Sequence, residues 1–315
     1  MGVKRQSIRQ IQEMKKTRAD RRRAKGRLSD LRVSAKVRQR YFHAVQALLY
    51  FWRATSSGPE HSEDFDRAAS CFIEAQWHEG ESAYVCNNAL AGLQFYLPVK
   101  GKLKSSWHLL KTWHRLEPAS RVLPIHPLLV MGIAGLISRI GFISAAACLL
   151  IGFDCFLRSS EIYNLERRDI TFYKDKAVLK LRDTKTGKRT GNSEMVVCQS
   201  PFATSLLKLA CQDLELQDKV LRIKPKKFRE LLVGGAAVFG FSERINTYSL
   251  RRGGATWSFL QHGSMELVLL RGRWQSTATA RIYLQDAVAS LSDLQLSDEV
   301  RDRLGRHIFY LKGLT

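Results

Sequence analysis

ITFYKDKAVLKLRDTKTGKRTGNSEMVVC, residues 170 to 198, decides the fold class, because it is the one strand-like region of the chain. It reads as strand, turn at Lys174-Asp175, strand, a glycine-containing turn, and strand again. Turns this short join antiparallel neighbours. On both sides of it the apolar residues recur three or four apart, which is helical spacing. The fold class expected is therefore mainly α with a small antiparallel β-sheet, without internal repeats.

Upstream of the strands, LLVMGIAGLISRIGFISAAACLLIGFDCFL (128 to 157) is the most apolar run of the chain. Arg139 splits it and Asp154 stands near its end, while Gly132, Gly135, Gly141 and Gly152 mark helix breaks and close packing. Two buried core helices are expected there and not a membrane span. Further upstream, PASRVLPIHP (118 to 127) has three prolines and reads as a linker, placed at 119 to 127. Before it, YFHAVQALLYFW, FDRAASCFIEAQW, SAYVCNNALAGLQFYL and SSWHLLKTWHRL are amphipathic helices of a small helical domain over 41 to 118. Residues 1 to 40 carry KKTRADRRRAKGR (15 to 27) and few apolar residues, so a basic arm without structure of its own is expected. The catalytic or binding domain is placed at 128 to 315, ending in a tail.

Composition narrows the function classes. The chain has 51 Lys and Arg against 29 Asp and Glu, a net charge of +22, which on a foldable sequence points to a polyanionic partner, nucleic acid first. No RNA-recognition signature is present. The six cysteines are scattered without a two-residue pair, and the eight histidines form no HExxH cluster, so no metal site and no cofactor are expected. Residues 1 to 40 hold no apolar segment of a secretory signal, and Gln6 breaks the myristoylation pattern. An intracellular protein with reduced thiols follows, with no membrane and no small-molecule substrate as partner.

Four islands in the last domain concentrate polar groups that could do chemistry. FLRSSEI (156 to 162) puts Arg158 after an apolar helix with Glu161 one turn later, able to hold its guanidinium. DTKTGKR (183 to 189) puts Lys185 and Lys188 on a tight turn between strands. YSLRRGGAT (248 to 256) has Arg251 one turn after Tyr248, with two glycines that allow close backbone approach. RGRWQSTATARIYLQ (271 to 285) carries Trp274 and, nine residues on, Tyr283. Singly, each has a plainer reading: a salt-bridged arginine, lysines on a solvated turn, glycines for packing, aromatics in the core.

Arg, then Lys on a strand turn, then Arg three residues after a polar residue, then Trp or His nine residues before Tyr, is an ordered pattern. Over about residues 35 to 290 it resembles the tyrosine recombinases, also called phage integrases. The resemblance implies a two-domain DNA clamp in which the helical domain is the core-binding domain. It implies site-specific cutting and rejoining of DNA through a 3′-phosphotyrosyl intermediate, without a metal ion and on double-stranded DNA as a homo-tetramer. Tyr283 would be the nucleophile, Arg158 and Arg251 the phosphate clamp, and Glu161 the support of Arg158. Lys185, in preference to Lys188, would be the general acid, and Trp274 an indole N–H donor and packing wall. A mobile element and a DNA-associated location, nuclear in a eukaryote and nucleoid or cytoplasmic in a bacterium, go with it. Tyr248 departs from the family's usual histidine, which leaves a catalytically inactive, domesticated DNA-binding protein as the alternative. Elementary chemistry agrees with the pattern: a phenol of pKa about 10 is roughly 4 kcal/mol short of ionisation at pH 7, and two nearby guanidiniums would shrink that deficit. A type IB topoisomerase would share this logic, but the short chain and small helical domain fit it less well. The tail (290 to 311) packs either on a neighbouring protomer or back on its own domain.

Overall fold

A computed structural model describes residues 8–55, 64–99, 101–118, 122–182, 184, 193–241, 245–277, 280–281, 284 and 296–314. The chain divides into two units, Met1–Ser120 and Arg121–Thr315. Most of the described residues are helical and one three-stranded sheet is present, so the fold class is mainly α with a small antiparallel β-sheet.

In the first unit, the stretch expected as an unstructured arm is helical from Ile8 to Lys25 (α1). Its residues include neither Gly nor Pro, and Arg, Lys, Gln, Glu and Ala all have favourable helix propensity. A search for apolar periodicity passes over such a helix because it has no apolar stripe. A 3₁₀ turn at Asp30–Arg32 then leads into α2 (Ala35–Thr55), six residues earlier than position 41. α3 (Asp64–His78), α4 (Ala83–Tyr96) and α5 (Lys104–Leu116) complete the unit around buried Leu48, Phe72, Leu90, Leu93, Leu110 and Trp113. Burying one such large apolar side chain contributes about 1.5–3 kcal/mol relative to exposing it. The early start of α2 has a cause in α4: Arg32 Nη2 donates to Phe95 O at 2.5 Å with its guanidinium 4.5 Å from the Phe95 ring centroid, and Tyr96 donates its hydroxyl to Arg38 O at 3.2 Å. α5 has no cap of its own. Asp66 of α3 supplies it, accepting from Ser105 N at 3.0 Å and Ser106 N at 2.9 Å. Burial raises the Asp66 carboxyl, yet the hydrogen bonds from Ser106 and Ser105 prevail and hold it below the usual range.

The second unit is built on the two apolar helices, α6 (Pro127–Arg139) and α7 (Ile143–Asp154), separated at Gly141 with its positive φ of 87°. The part of the linker that is described is not free. Ile125 is fully buried and donates its N–H to Ser249 O at 3.4 Å, and Arg252 Nη1 donates to Val122 O. An isoleucine flanked by prolines reads as connector in sequence, but its apolar side chain is drawn into the core all the same. His126 then caps α6, its Nδ1 accepting from Leu128 N at 3.2 Å.

After the short helix α8 (Ser159–Asn164) come β1 (Ile170–Phe172), β2 (Ala177–Leu181) and β3 (Glu194–Cys198), a meander in that spatial order. Ile170 pairs with Leu179, Ala177 with Cys198 and Leu181 with Glu194. Ala177, Leu179 and Leu181 therefore share the buried face, as the period of two requires. α9 (Pro201–Ala210) and α10 (Pro225–Val238) follow, then α11 (Thr247–His262) and α12 (Met265–Gly272). The last helix, α13 (Asp298–Lys312), folds back on α6 of its own unit, burying Leu304 and Leu311. Gly132 and Gly135 make that approach possible: a Cβ there would lie 2.2 Å from Leu304 Cδ2 and 2.2 Å from His307 O. The described part of the tail thus packs on its own unit in the single chain. No described helix is long and apolar enough to cross a membrane.

Candidate active site

Three of the four islands meet where α7, α11 and α12 end or begin. Phe156, just past α7, has a positive φ of 49°, and its ring is buried with Ala255, Val268 and Leu284. Holding a bulky residue there costs about 1–3 kcal/mol. Packing and hydrogen bonding offset that cost, since the Phe156 carbonyl accepts from both Arg251 Nη1 and, at 3.3 Å, Arg273 Nη2. Two residues on, Arg158 precedes α8 and is fixed by Glu161 as its spacing suggested. Arg158 N donates to Glu161 Oε2 at 2.8 Å and Arg158 Nη1 to Glu161 Oε1 at 2.7 Å. A 2.7 Å hydrogen bond between the Ser159 and Thr247 hydroxyls ties this corner to the first turn of α11.

α11 starts on Asn246, whose Oδ1 accepts from Tyr248 N at 2.8 Å, leaving the half-buried Tyr248 on the opening turn and Arg251 one turn along. Arg251 is 1% exposed. Its Nη2 donates to Gly272 O at 2.5 Å, and its guanidinium lies 4.4 Å from the Trp274 ring centroid, a cation–π stack. Trp274 thus acts as a wall against Arg251. Burial, then the charges of Arg158 and Arg273, lower the Arg251 pKa to about 10, so it stays cationic at neutral pH. Gly253 and Gly254 serve the close approach expected of them: a Cβ would lie 2.3 Å from Ile125 O and 2.0 Å from Phe153 O. Gly272 plays the same part for Trp274, whose ring would meet a Cβ at 1.8 Å.

Arg273 belongs to this cluster and went unnoticed in the sequence. Its φ is 55°, and it and Phe156 are the two non-glycine residues with positive φ among those described. Its Nη2 donates to Glu161 Oε2 at 2.9 Å, and Nη1 lies 3.7 Å from Glu194 Oε2 at the start of β3. Glu161 is consequently a buried carboxylate between two guanidiniums. Burial raises its pKa, but the Arg273 charge and the Arg158 contacts outweigh that and hold it below the usual value. The neighbouring Arg271 anchors the segment by donating to Asp154 O at 2.8 Å. No signal in the sequence separates Arg273 from a surface arginine, because its partner is 112 positions away.

Lys185, Lys188 and Tyr283 lie outside the described residues; Thr184, beside Lys185, is described and buried. The structure thus brings Arg158, Glu161, Tyr248, Arg251 and Trp274 together and adds Arg273. One grouping that the cysteine spacing concealed is Asp154, Cys155 and Cys198, whose ligating atoms lie within 4.8 Å of one another. Its carboxylate is already engaged, accepting from Gln199 N at 2.9 Å and facing Arg271 at 3.5 Å. The arginine cluster itself suits an anion with several oxygens: Arg158 and Arg273 share the Glu161 carboxylate, and Arg251 lies beside them on the Phe156 carbonyl that Arg273 also holds.

No protein-family model matches the chain, and no curated protein does. Solved structures do. The integrase of transposon Tn1549 in complex with transposon right-end DNA aligns over 91% of this chain and 97% of that one, at 12% identity and a TM-score of 0.58. A lambda integrase dimer bound to a COC′ core site aligns over 81% and 90%, at 11% identity and 0.57. The XerH site-specific recombinase with a palindromic difH substrate, in its post-cleavage complex, aligns over 72% and 70%, at 16% identity and 0.52. The chain has the fold of these tyrosine recombinases.

Proposed function

We infer that the chain is a site-specific tyrosine recombinase that cuts and rejoins double-stranded DNA, of the kind a mobile element encodes. The observation that carries this is the gathering of Arg158, Arg251 and Arg273 in one corner, where Arg158 and Arg273 share the buried carboxylate of Glu161 and where burial, then the charges of those two arginines, lower the Arg251 pKa. Three guanidiniums against the two carboxylates of Glu161 and Glu194 leave room for one more anion, and a phosphodiester supplies one. In the reaction, the Tyr283 phenol releases its proton to solvent water as its oxygen attacks phosphorus, and the P–O bond to the 5′-oxygen breaks as that oxygen takes a proton from Lys185. The guanidiniums of Arg158 and Arg251 meet the charge that grows on the non-bridging oxygens. Tyr248 donates a hydrogen bond to one of those oxygens, where an imidazole could also have exchanged a proton. The roles of Tyr283 and Lys185 rest on the sequence pattern. Four strand cuts per exchange require a tetramer on the DNA, and the net charge of +22 supplies salt-dependent binding in both units.

A DNA-binding protein without chemistry is the second reading. It is favoured by Tyr248 and by Arg251, whose two Nη groups both donate to backbone carbonyls. Covalent trapping separates the two. Mixed with labelled duplexes in excess EDTA and stopped with detergent, the protein is expected to carry DNA covalently, because guanidiniums meet the charge that a metal ion would otherwise neutralise. Adduct that forms only after magnesium is added contradicts this mechanism, and DNA binding without adduct under either condition favours the second reading.

A further inference from the structure

Arg273 is 8% exposed at its side chain, against 24% for Arg158, and among the described residues its Nε and Nη1 have no hydrogen-bond partner. Its Nη2 is committed to Glu161 Oε2 and the Phe156 carbonyl, and its Nη1 faces Glu194 at 3.7 Å. What it touches is the apparatus around the clamp. It takes Glu161 Oε2 while Arg158 Nη1 takes Oε1, and it shares the Phe156 carbonyl with Arg251. The geometry points to Arg273 as a positioning residue that acts through Glu161 to keep Arg158 available to phosphate, an inference that rests on the recombinase reading above.

The physical reason is the sharing of one negative charge. With Arg158 alone, Glu161 would be its one-to-one counter-ion, and the pair would present little net charge to a phosphate oxygen. With Arg273 on the second oxygen, the carboxylate is divided between two cations; Glu194, 3.7 Å from Arg273 Nη1, is a second counter-ion, and with Arg251 the three guanidiniums still outnumber the two carboxylates. Arg158 is the member of the Glu161 pairings with the greater exposure, so that excess is offered on the solvent side. The groups facing Glu161 are Arg158, Arg251 and Arg273, and, across the pocket it lines, Arg168, Lys180, Arg182 and Lys219 against Glu166 and Asp169. Removing Arg273 removes the largest influence that lowers the Glu161 carboxyl, so its pKa rises toward the usual 4.5.

The test is single-turnover adduct formation in EDTA from pH 4 to 8 by the parent, Arg273→Lys, Arg273→Gln, Glu161→Gln and the double variant. Arg273→Gln should slow adduct formation about tenfold to a hundredfold, the range for a partner that orients a ligating group, with duplex affinity unchanged. Arg273→Lys should recover part of the rate. The acidic limb of the Arg273→Gln profile should move to higher pH, and the double variant should be no slower than Glu161→Gln alone. A parental rate in Arg273→Gln, or penalties that multiply in the double variant, overturn the inference. A parent without adduct overturns the recombinase reading instead, and titration of the ¹³C-labelled glutamate carboxyls then decides for Arg273. The Glu161 signal, identified by its loss in Glu161→Gln, must titrate higher in Arg273→Gln, and an unmoved midpoint excludes the assigned contact.

Discussion

Tyr248 occupies the opening turn of α11, three residues before the buried Arg251, with its backbone N–H already held by Asn246. Its hydroxyl is the part with a function to test. If it donates to a non-bridging oxygen as charge develops, Tyr248→Phe should slow adduct formation by about 3 kcal/mol, roughly a hundredfold, as for a lost oxyanion donor. Tyr248→His should retain cleavage and acquire a pH dependence near 6.5, because imidazole exchanges protons in that range. Rates from pH 5.5 to 9 check both, and equal rates for Tyr and Phe remove Tyr248 from the site. At this scale the sequence was informative where partners are close in the chain. Glu161 on Arg158 is a three-residue contact, and Gly253 and Gly254 advertise close approach by their type. Arg273 was illegible because its left-handed backbone and its distant carboxylate leave no local mark.

The elements divide in the same way. The strands, the two apolar helices and α2 to α5 follow from periods of two and 3.6 residues, since each buries one face or all of it. α1 has no such face, and Ile125 lies among prolines, so periodicity was silent on both. At the start of α6 the cap is a histidine, which introduces a pH dependence. Burial, then the Arg301 charge, lower the His126 pKa below 6.5, and the ring must be neutral at Nδ1 to accept from Leu128 N. The folded state therefore binds fewer protons than the unfolded chain. Stability is full above pH 6.5 and falls as the pH drops through 6.5 toward the folded value. His307, lowered by burial and by Arg139, Arg306 and Arg303, acts in the same direction. His126→Asn keeps an acceptor of cap strength, about 0.5–2 kcal/mol, and does not titrate. Urea midpoints from pH 8 to 5 should fall less in this variant than in the parent; parallel curves would exclude His126 as a source of the dependence.

For the whole molecule, the C-terminal helix α13 is part of its own unit's core. Leu304 is 1% exposed against α6, so Leu304→Ala should lower stability by about 2–5 kcal/mol. The thermal transition of parent and variant should not depend on protein concentration, as it would if this helix were exchanged between protomers. That choice could not be read from the sequence, because an amphipathic helix packs equally well on its own chain or on another. The proposed chemistry would likewise be a property of the assembled site, since residues from four islands would have to serve one phosphate. The most direct measurement uses a library of duplexes with a randomised core, incubated in EDTA with the parent or with Tyr283→Phe and denatured in detergent. The parent is expected to retain DNA covalently through Tyr283, while the Phe variant retains none and binds duplex with nearly the same affinity, since one hydroxyl adds little to many phosphate contacts. DNA held covalently by Tyr283→Phe, or by neither protein, would contradict the account.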